Sequence, residues 1–137
     1  LPVTDTDQIS IDPNDEDRIY AASKSVGLHI VTDVSAGGGQ IILRNEAHGI
    51  AKNIFGYYST DWVVVDPRNA NVVYAASWSA AWGHGNGVFR SVDRGLTWQH
   101  IAYNLFPITV GSISVNPHNG YVYLNSMHGT WKLPPPY

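Results

Sequence analysis

Four aromatic residues and one histidine have the chemistry of a ligand-binding surface. They occur in two stretches of the chain, as Tyr57, Tyr58, Trp78, Trp82 and His84. Aromatic rings with a few polar groups beside them are typical of a concave ligand site, and flat rings can stack on the faces of sugars. The nearby Trp62 fits either this surface or packing between sheets, and the sequence leaves both interpretations open.

Carboxylates are the second chemistry to consider, because glycoside hydrolysis needs a pair of them at a set separation. Asp12 and Asp66 each precede a proline and are predicted to cap turns. Three other acidic residues are candidates for a catalytic acid or base: Asp33, Glu46 and Asp61. No motif assigns the catalytic role to any two of them, so the sequence leaves open whether the protein is an enzyme.

Metal, thiol and serine chemistry have no support in the sequence. The six histidines lack the His-x-His or His-Glu-x-x-His spacing of zinc sites, and there is no cysteine. The acidic run of residues 12–17 has aspartate where a calcium loop needs glycine. No Gly-x-Ser-x-Gly elbow surrounds a serine. We therefore predict no bound metal and no cofactor.

The composition is that of a folded protein with a lightly charged surface. Of its 137 residues, 44% are apolar and 14% are charged, and the net charge is −3. This charge does not suggest binding to nucleic acid or to an anionic membrane. No apolar run is long enough for a transmembrane helix. We expect neither a nucleic acid nor a membrane as a partner.

A repeat of roughly 50 residues organises the chain. Each unit begins with an alternating apolar strand that ends at Asp-Pro or Asn-Pro, in residues 9–14, 63–69 and 113–119. A second strand ends in Tyr-Ala-Ala-Ser, or Tyr-Leu-Asn-Ser in the third unit, and a glycine opens the next strand. Proline stops ladder pairing, and the side chain before it caps the turn. The period is that of a propeller blade.

The repeat predicts an all-β fold of antiparallel four-stranded β-propeller blades with almost no helix. We interpret residues 1–137 as a single partial propeller domain, with blade units at about 8–44, 61–102 and 111–133. Residues 45–60 form a linking loop, and the proline-rich end 134–137 cannot continue a sheet.

The number of blades predicts a partner. The three units amount to about two and three-quarter blades, whereas propellers close with roughly 4–8. Unpaired strand edges invite association with other strands. We therefore expect either a homo-oligomer or the remaining blades of a longer chain to complete the ring.

Residues 91–98 form the most distinctive turn of the sequence. Asp93 can accept hydrogen bonds from backbone N–H groups across the turn, and Gly95 can adopt a positive φ. Ser91 and Thr97 place hydroxyls on either arm, and Trp98 is large enough to hold the turn against a neighbouring sheet. These features predict a hairpin turn closed by its own side chains.

Two further expectations concern this turn. Arg90 and Arg94 flank it and are predicted to face solvent. Residues 32–39, with the sequence Thr-Asp-Val-Ser-Ala-Gly-Gly-Gly, hold a degraded version of the same turn in the first unit.

The pattern Ser-x-Asp-x-Gly-x-Thr-Trp of residues 91–98 resembles the Asp-box, also called the bacterial neuraminidase repeat. The resemblance implies a structural hairpin on the outer rim of a propeller blade, away from any catalytic centre. Asp-boxes occur in sialidases, xyloglucan-cleaving glycoside hydrolases, sortilin-type receptors and photosystem assembly factors. The Arg-Ile-Pro signature of sialidases is missing from this sequence, and the strand layout is most similar to the xyloglucanase group.

Similarity to the xyloglucanase group implies a secreted, carbohydrate-associated propeller segment. It would bind a polysaccharide or other glycan or, with further blades, hydrolyse one with paired carboxylates. The sortilin-like and assembly-factor propellers imply an alternative, a non-enzymatic module for protein interaction or assembly. A third interpretation is a self-assembling structural protein whose open blade edges pair between chains.

Overall fold

The computed structural model describes residues 6–23, 26–37, 39–50, 60–77, 87–101, 110–126 and 129–136. Within these ranges the regular structure consists of β-strands and two short 3₁₀ turns, Val34–Ala36 and Glu46–His48. All neighbouring strands are antiparallel and follow one another in chain order, so each sheet is a simple meander. The predicted all-β class with almost no helix is confirmed.

The strands form three sheets, which we name blades 1, 2 and 3. Blade 1 comprises β1 (Gln8–Asp12), β2 (Asp15–Ser23), β3 (Gly27–Thr32) and β4 (Gln40–Leu43). Blade 2 comprises β5 (Trp62–Val65), β6 (Val73–Ser77), β7 (Gly87–Ser91) and β8 (Gln99–His100). Blade 3 comprises, in the described part of the chain, β9 (Val110–Val115), β10 (Val122–Ser126) and β11 (Gly129–Leu133).

The first hairpin of each blade closes with the same hydrogen bond. The side-chain oxygens of Asp12, Asp66 and Asn116 each accept from the backbone N–H two residues ahead, at 2.9, 2.9 and 2.8 Å. This is the Asx turn expected of an Asp or Asn that leads into proline. Asp12 and Asp66 therefore stabilise turns, as the sequence predicted.

The three blades pack face against face. Side chains on one face of blade 1 meet blade 2, and the other face of blade 2 meets blade 3. The first interface buries Tyr20, Ala22, Leu28 and Ile30 against Val63, Val65, Val73, Ala75, Phe89 and Trp98. The second interface buries Tyr74, Ala76 and Val88 against Ile113, Val115, Val122 and Leu124. Small alanine side chains let the sheets approach closely, and both interfaces are apolar cores.

The first strands of successive blades also contact one another, β1 with β5 and β5 with β9. On β1, two polar side chains accept hydrogen bonds from the next blade. Gln8 Oε1 accepts from Val63 N at 2.8 Å, and Ser10 Oγ accepts from Val65 N at 3.2 Å. These bonds satisfy edge N–H groups of β5 that its own sheet does not pair.

Candidate functional site

The turn between β7 and β8, residues 92–98, is closed by Asp93 and Ser91. Asp93 Oδ1 accepts from Ser91 Oγ at 2.7 Å and from Thr97 N at 2.9 Å, and Asp93 Oδ2 accepts from Thr97 Oγ1. Ser91 Oγ accepts from Gly95 N at 2.8 Å, and Trp98 Nε1 donates to Gly95 O at 3.0 Å. The five side chains and backbone groups that the sequence singled out thus form one hydrogen-bonded unit, which we call the Asp93 turn.

The pKa of Asp93 is lowered from its ordinary value. Partial burial favours the protonated acid, but the hydrogen bonds from Thr97 and Ser91 favour the carboxylate and together outweigh burial. The carboxylate is therefore the form that closes the turn at neutral pH. Among the described residues, its side-chain hydrogen bonds are to Ser91 and Thr97, so the carboxylate holds this turn closed.

The Asp93 turn packs on blade 1. Gly95 has φ 81°, as predicted, and a Cβ at this position would lie 2.8 Å from Ile30 Cδ1 and 3.0 Å from Tyr20 Cε1. Trp98 is buried with the same residues in the first interface. Glycine is thus needed both for the backbone conformation and for the close approach of the turn to the neighbouring sheet.

Arg94 joins the two blades, so the expectation that it faces solvent needs correction. Its side chain is 38% exposed, but Nη2 pairs with Asp12 Oδ2 at 2.7 Å and with Asp15 Oδ2 at 3.1 Å. Its carbonyl oxygen accepts from Arg18 Nη2 at 2.6 Å and from Tyr20 OH at 3.0 Å. The hydrogen bond with Asp12 is the main cause of the raised pKa of Arg94. The partners come from the β1–β2 hairpin, far away in sequence.

The corresponding turn of blade 1, between β3 and β4, has a different clasp. Asp33 is exposed, with φ 57°. Its Oδ2 accepts a long hydrogen bond, of 3.4 Å, from Thr32 Oγ1. A carboxylate from β2 holds this turn instead, because Asp17 accepts from Ser35 N at 2.7 Å and from Ser35 Oγ at 2.8 Å. These two hydrogen bonds lower the pKa of Asp17.

The carboxylates proposed for catalysis are dispersed. Asp33 lies in this exposed turn of blade 1, whereas Asp61 is 4% exposed and directly precedes β5. The backbone N–H of Asp61 donates to Ala76 O at 2.9 Å, so the residue sits at the end of blade 2 where β6 finishes. Glu46 begins a 3₁₀ turn, and its side chain is outside the described part of the structure. Within its described residues, the structure thus brings together no catalytic pair from these three residues.

The predicted ligand-binding side chains, Tyr57, Tyr58, Trp78, Trp82 and His84, lie outside the described residues. The residues that flank them are described. β5 begins and β6 ends at the same end of blade 2, since Trp62 pairs with Ala76 and Ser77 pairs with Gly87. Trp62 itself is half-buried and packs against the second interface, which favours the packing interpretation for this tryptophan.

Arg44 and Arg90 each occupy a position of the repeat at which another blade has isoleucine. No ligand-binding role was predicted for either arginine from the sequence. Arg44 follows β4 as Ile101 follows β8, and each backbone N–H pairs with the equivalent strand of its blade. Arg44 is 6% exposed, and burial is the main cause of its lowered pKa. Its Nε has no hydrogen-bond partner among the described residues. Arg90 occupies the place of Ile30 opposite the repeated tyrosine. Aligning the repeats and looking for charges at apolar positions would have found both.

Arg90 lines an open cleft between blades 2 and 3 with a volume of about 470 Å³. The β7 and β8 strands form one wall, and the end of β11 with Pro134 and Pro135 forms the other.

Within the described ranges, no group of three or more His, Cys, Asp or Glu side chains is arranged to hold a metal ion. The described segments also contain no helix with the length and apolarity to cross a membrane.

No protein-family model and no curated protein matches this sequence. Solved structures do match its fold. A GH74 enzyme from Niastella koreensis has a TM-score of 0.63 at 13% identity, and an ancestral GH74 enzyme has a TM-score of 0.64 at 22% identity. The GH74 xyloglucanase from Xanthomonas campestris has a TM-score of 0.61 at 15% identity.

Each of these three matches covers 93% of the present chain but only a fraction of the other protein. The chain spans 21%, 17% and 22% of the three matched chains, in the same order. At these identities the similarity concerns the fold. The three blades therefore have the fold of a segment of the GH74 enzymes, which agrees with the propeller architecture predicted from the repeat.

Proposed function

We propose that this chain is a glycan-binding propeller segment whose binding surface lies at one end of blade 2. The observation that carries the proposal is that the two segments rich in aromatic residues, 51–59 and 78–86, join blade 2 at the same end. The fold similarity to GH74 enzymes, one of them a xyloglucanase, supports a polysaccharide as the ligand.

The ends of the two segments are fixed by backbone hydrogen bonds. Thr60 N donates to Ser23 O at 3.0 Å, and Asp61 N donates to Ala76 O at 2.9 Å. The register Ser77↔Gly87 closes the other segment at its base. Segments anchored on neighbouring strands of a rigid sheet are well placed to present side chains to a common ligand. Tyr57, Tyr58, Trp78, Trp82 and His84 would supply the rings and one polar group.

Hydrolysis would need a carboxylate at the same end of the blade, and Asp61 is the described candidate. It is buried and lies directly before β5, close to the end of segment 51–59. Its backbone N–H donates to Ala76 O, next to the start of segment 78–86. A second carboxylate would have to come from elsewhere, because glycosidases use two. We therefore propose binding as the activity of this chain and hydrolysis only together with further blades.

The binding proposal is tested by calorimetric titration with a xyloglucan heptasaccharide. Trp78→Ala and Trp82→Ala are each expected to weaken binding at least tenfold, since stacking on a ring contributes about 1–3 kcal/mol in comparable base–aromatic contacts. Trp131→Ala, which removes a 38% exposed tryptophan from β11, is the matched control and should leave the affinity unchanged. Absence of binding at millimolar sugar, or equal affinities in all variants, would refute the proposal.

We also propose that the chain shares two properties of the xyloglucanase group. The first is that the Asp93 turn is an Asp-box, supported by its five residue types and by the hydrogen bonds they make. The second is secretion, because the polysaccharides that such a module would bind lie outside the cell. Detection of the protein in the culture medium of its source, without cell lysis, would test the second.

A second candidate function, association between blades of different chains, is favoured by one face of blade 1. Two cross-strand rows on the face away from blade 2 are almost wholly apolar: Ile11–Ile19–Val31–Ile41 and Ile9–Ala21–His29–Leu43. Ile9 and Ile11 are each 56% exposed, whereas Val63 and Val65, at the same repeat positions of blade 2, are buried in the first interface. The middle of this face, at Ala21, His29 and Val31, is already buried in the single chain. A further blade, from a second copy of the chain, would cover its exposed edges, at Ile9, Ile11, Ile41 and Leu43.

Light scattering after size-exclusion chromatography tests this association. A homo-oligomer whose mass falls on Ile9→Lys or Ile11→Lys would support it. Val92→Lys and Leu96→Lys, at similarly exposed positions of the Asp93 turn, are the matched controls and should not change the mass. A monomer at all concentrations would exclude a second copy as the covering blade.

A further inference from the structure

The cleft between blades 2 and 3 has a charged floor and apolar walls. Arg90 and Gln99 are direct cross-strand neighbours of β7 and β8, so both side chains lie on the same face. The apolar part of the lining comes from Ile101, Leu133, Pro134 and Pro135. A volume of about 470 Å³ is within the range of small-molecule sites.

Arg90 has no partner for its charge in the part of the chain that the structure describes. Its Nε is buried without a hydrogen bond, and no ion pair of Arg90 is found among the described residues. The same position in blade 1 holds Ile30, which packs in an apolar core. Packing alone therefore does not require an arginine here, and a half-buried guanidinium without a partner is unfavourable.

The chemistry of the lining defines the ligand that would complete it. A guanidinium presents a planar fork of donors that matches a carboxylate in a bidentate pair. The Gln99 amide can donate to and accept from hydroxyl groups. The isoleucine, leucine and proline side chains offer an apolar surface for the carbon face of a ring. A ring that carries one carboxylate and several hydroxyls, a sugar acid, has all three features.

We propose that this cleft binds a uronate residue of an acidic polysaccharide, with the Arg90 guanidinium paired to the sugar carboxylate. The proposal rests on the function proposed above, since it names a second sugar site and the class of sugar. The described residues that line this cleft include no acidic side chain. The proposal for this cleft is therefore binding alone.

The test compares trigalacturonate with its methyl ester, which keeps the rings and hydroxyls but removes the charges. Calorimetry on the full chain should show at least a tenfold preference for the acid, because a hydrogen-bonded pair to a charged group contributes roughly 1.5–3 kcal/mol. Arg90→Gln should abolish the preference, and Arg90→Ile, which installs the residue of blade 1, should do the same. Arg68→Gln, at an exposed arginine of the β5–β6 turn, should retain it.

Several results would overturn the proposed uronate site. Equal binding of acid and ester, or a preference that survives in both folded Arg90 variants, would overturn it. Displacement of trigalacturonate by equimolar acetate would show a general anion site and would also overturn the sugar assignment. Binding of the neutral xyloglucan heptasaccharide, and its loss in Trp78→Ala, is measured on the same samples. Failure of the first proposed function is thereby distinguished from failure of the uronate site.

Discussion

The two interfaces between blades are built on the same repeat but close in different ways. Between blades 1 and 2, Ile30 packs against Gly95 of the Asp93 turn, and Trp98 completes the apolar core. Between blades 2 and 3, Arg90 takes the position that Ile30 has in blade 1. The third strand of blade 2, β7, is followed by the Asp93 turn, whereas the third strand of blade 3, β11, is followed by Pro134 and Pro135. The first interface is closed, and the second leaves a cleft.

Few residues decide whether a blade interface is a closed core or leaves an open cleft. The strand registers and the Asx turns are common to the blades. What differs is the presence of a clasped turn over the interface and the residue beneath it. A repeated scaffold can thus leave a cleft at one interface while the neighbouring interface is a closed apolar core.

The largest effect is expected when the closed interface is opened. Trp98→Ala should lower the free energy of unfolding by about 3–5 kcal/mol, because it removes a buried indole and leaves a cavity over Ile30. Trp131→Ala, at a 38% exposed tryptophan of blade 3, should lower it by less than about 1 kcal/mol. Urea denaturation of both variants measures the difference. Equal losses would show that the Asp93 turn adds little to the first interface.

A smaller loss is expected when the clasp is broken but the indole is kept. Asp93→Ala removes the acceptor for Ser91 and Thr97 and should cost about 2–3 kcal/mol, since hydrogen bonds to a charged group are the stronger kind. Asp33→Asn, which keeps a residue type that tolerates the φ of 57° in the exposed turn of blade 1, should cost less than about 0.5 kcal/mol. The measurement is again the denaturant midpoint of each variant. A comparable loss at Asp33 would mean that the two turns are held alike.

Much of the closed interface follows from local sequence, and the rest depends on distant residues. The hydrogen bonds of Asp93 join residues at most four positions apart, so residue types and spacing suffice to predict them. Arg94 was expected to face solvent because it flanks the turn. Its partners Asp12 and Asp15 come from another blade, and only the packing of the two sheets brings them near.

The β3–β4 turn of blade 1 and the Arg90 cleft also depend on residues that are distant in sequence. Asp17 and Ser35 lie on different hairpins, so no spacing rule connects them. Arg90 was expected to face solvent because it flanks the turn, but its position opposite Tyr74 in β7 directs it towards blade 3. The prediction that Trp78 and Trp82 bind sugar still awaits a test.

A modest gain in stability is expected when the second interface is made to resemble the first. Arg90→Ile replaces a half-buried guanidinium by the residue of blade 1 and should raise the free energy of unfolding by about 1 kcal/mol. The same variant should lose the preference for the acidic sugar, so stability and binding change in opposite directions. Thermal melts followed by circular dichroism measure the first quantity. A destabilised Arg90→Ile protein would show that Arg90 has a structural partner.

The smallest effect is expected from acid titration of the two clasps. The pKa values of Asp93 and Asp17 are lowered in the folded state, so the carboxylates favour folding above the unfolded pKa of about 3.9. This contribution is lost as the pH falls below that value and through the folded pKa. Asp93→Asn should flatten the decline of the melting temperature between about pH 4 and pH 2, and Asp17→Asn should flatten it less. Parallel curves for wild type and Asp93→Asn would contradict the assignment.

The central claim, that the chain binds glycan at one end of blade 2, is tested most directly by nuclear magnetic resonance titration. The isotope-labelled protein would be titrated with the xyloglucan heptasaccharide while its backbone amide shifts are followed. We predict saturable shifts at Thr60, Asp61 and Gly87, where the aromatic segments join the sheet, with the amides of the Asp93 turn unmoved. Shifts confined to that turn, or no shifts at millimolar sugar, would contradict the claim.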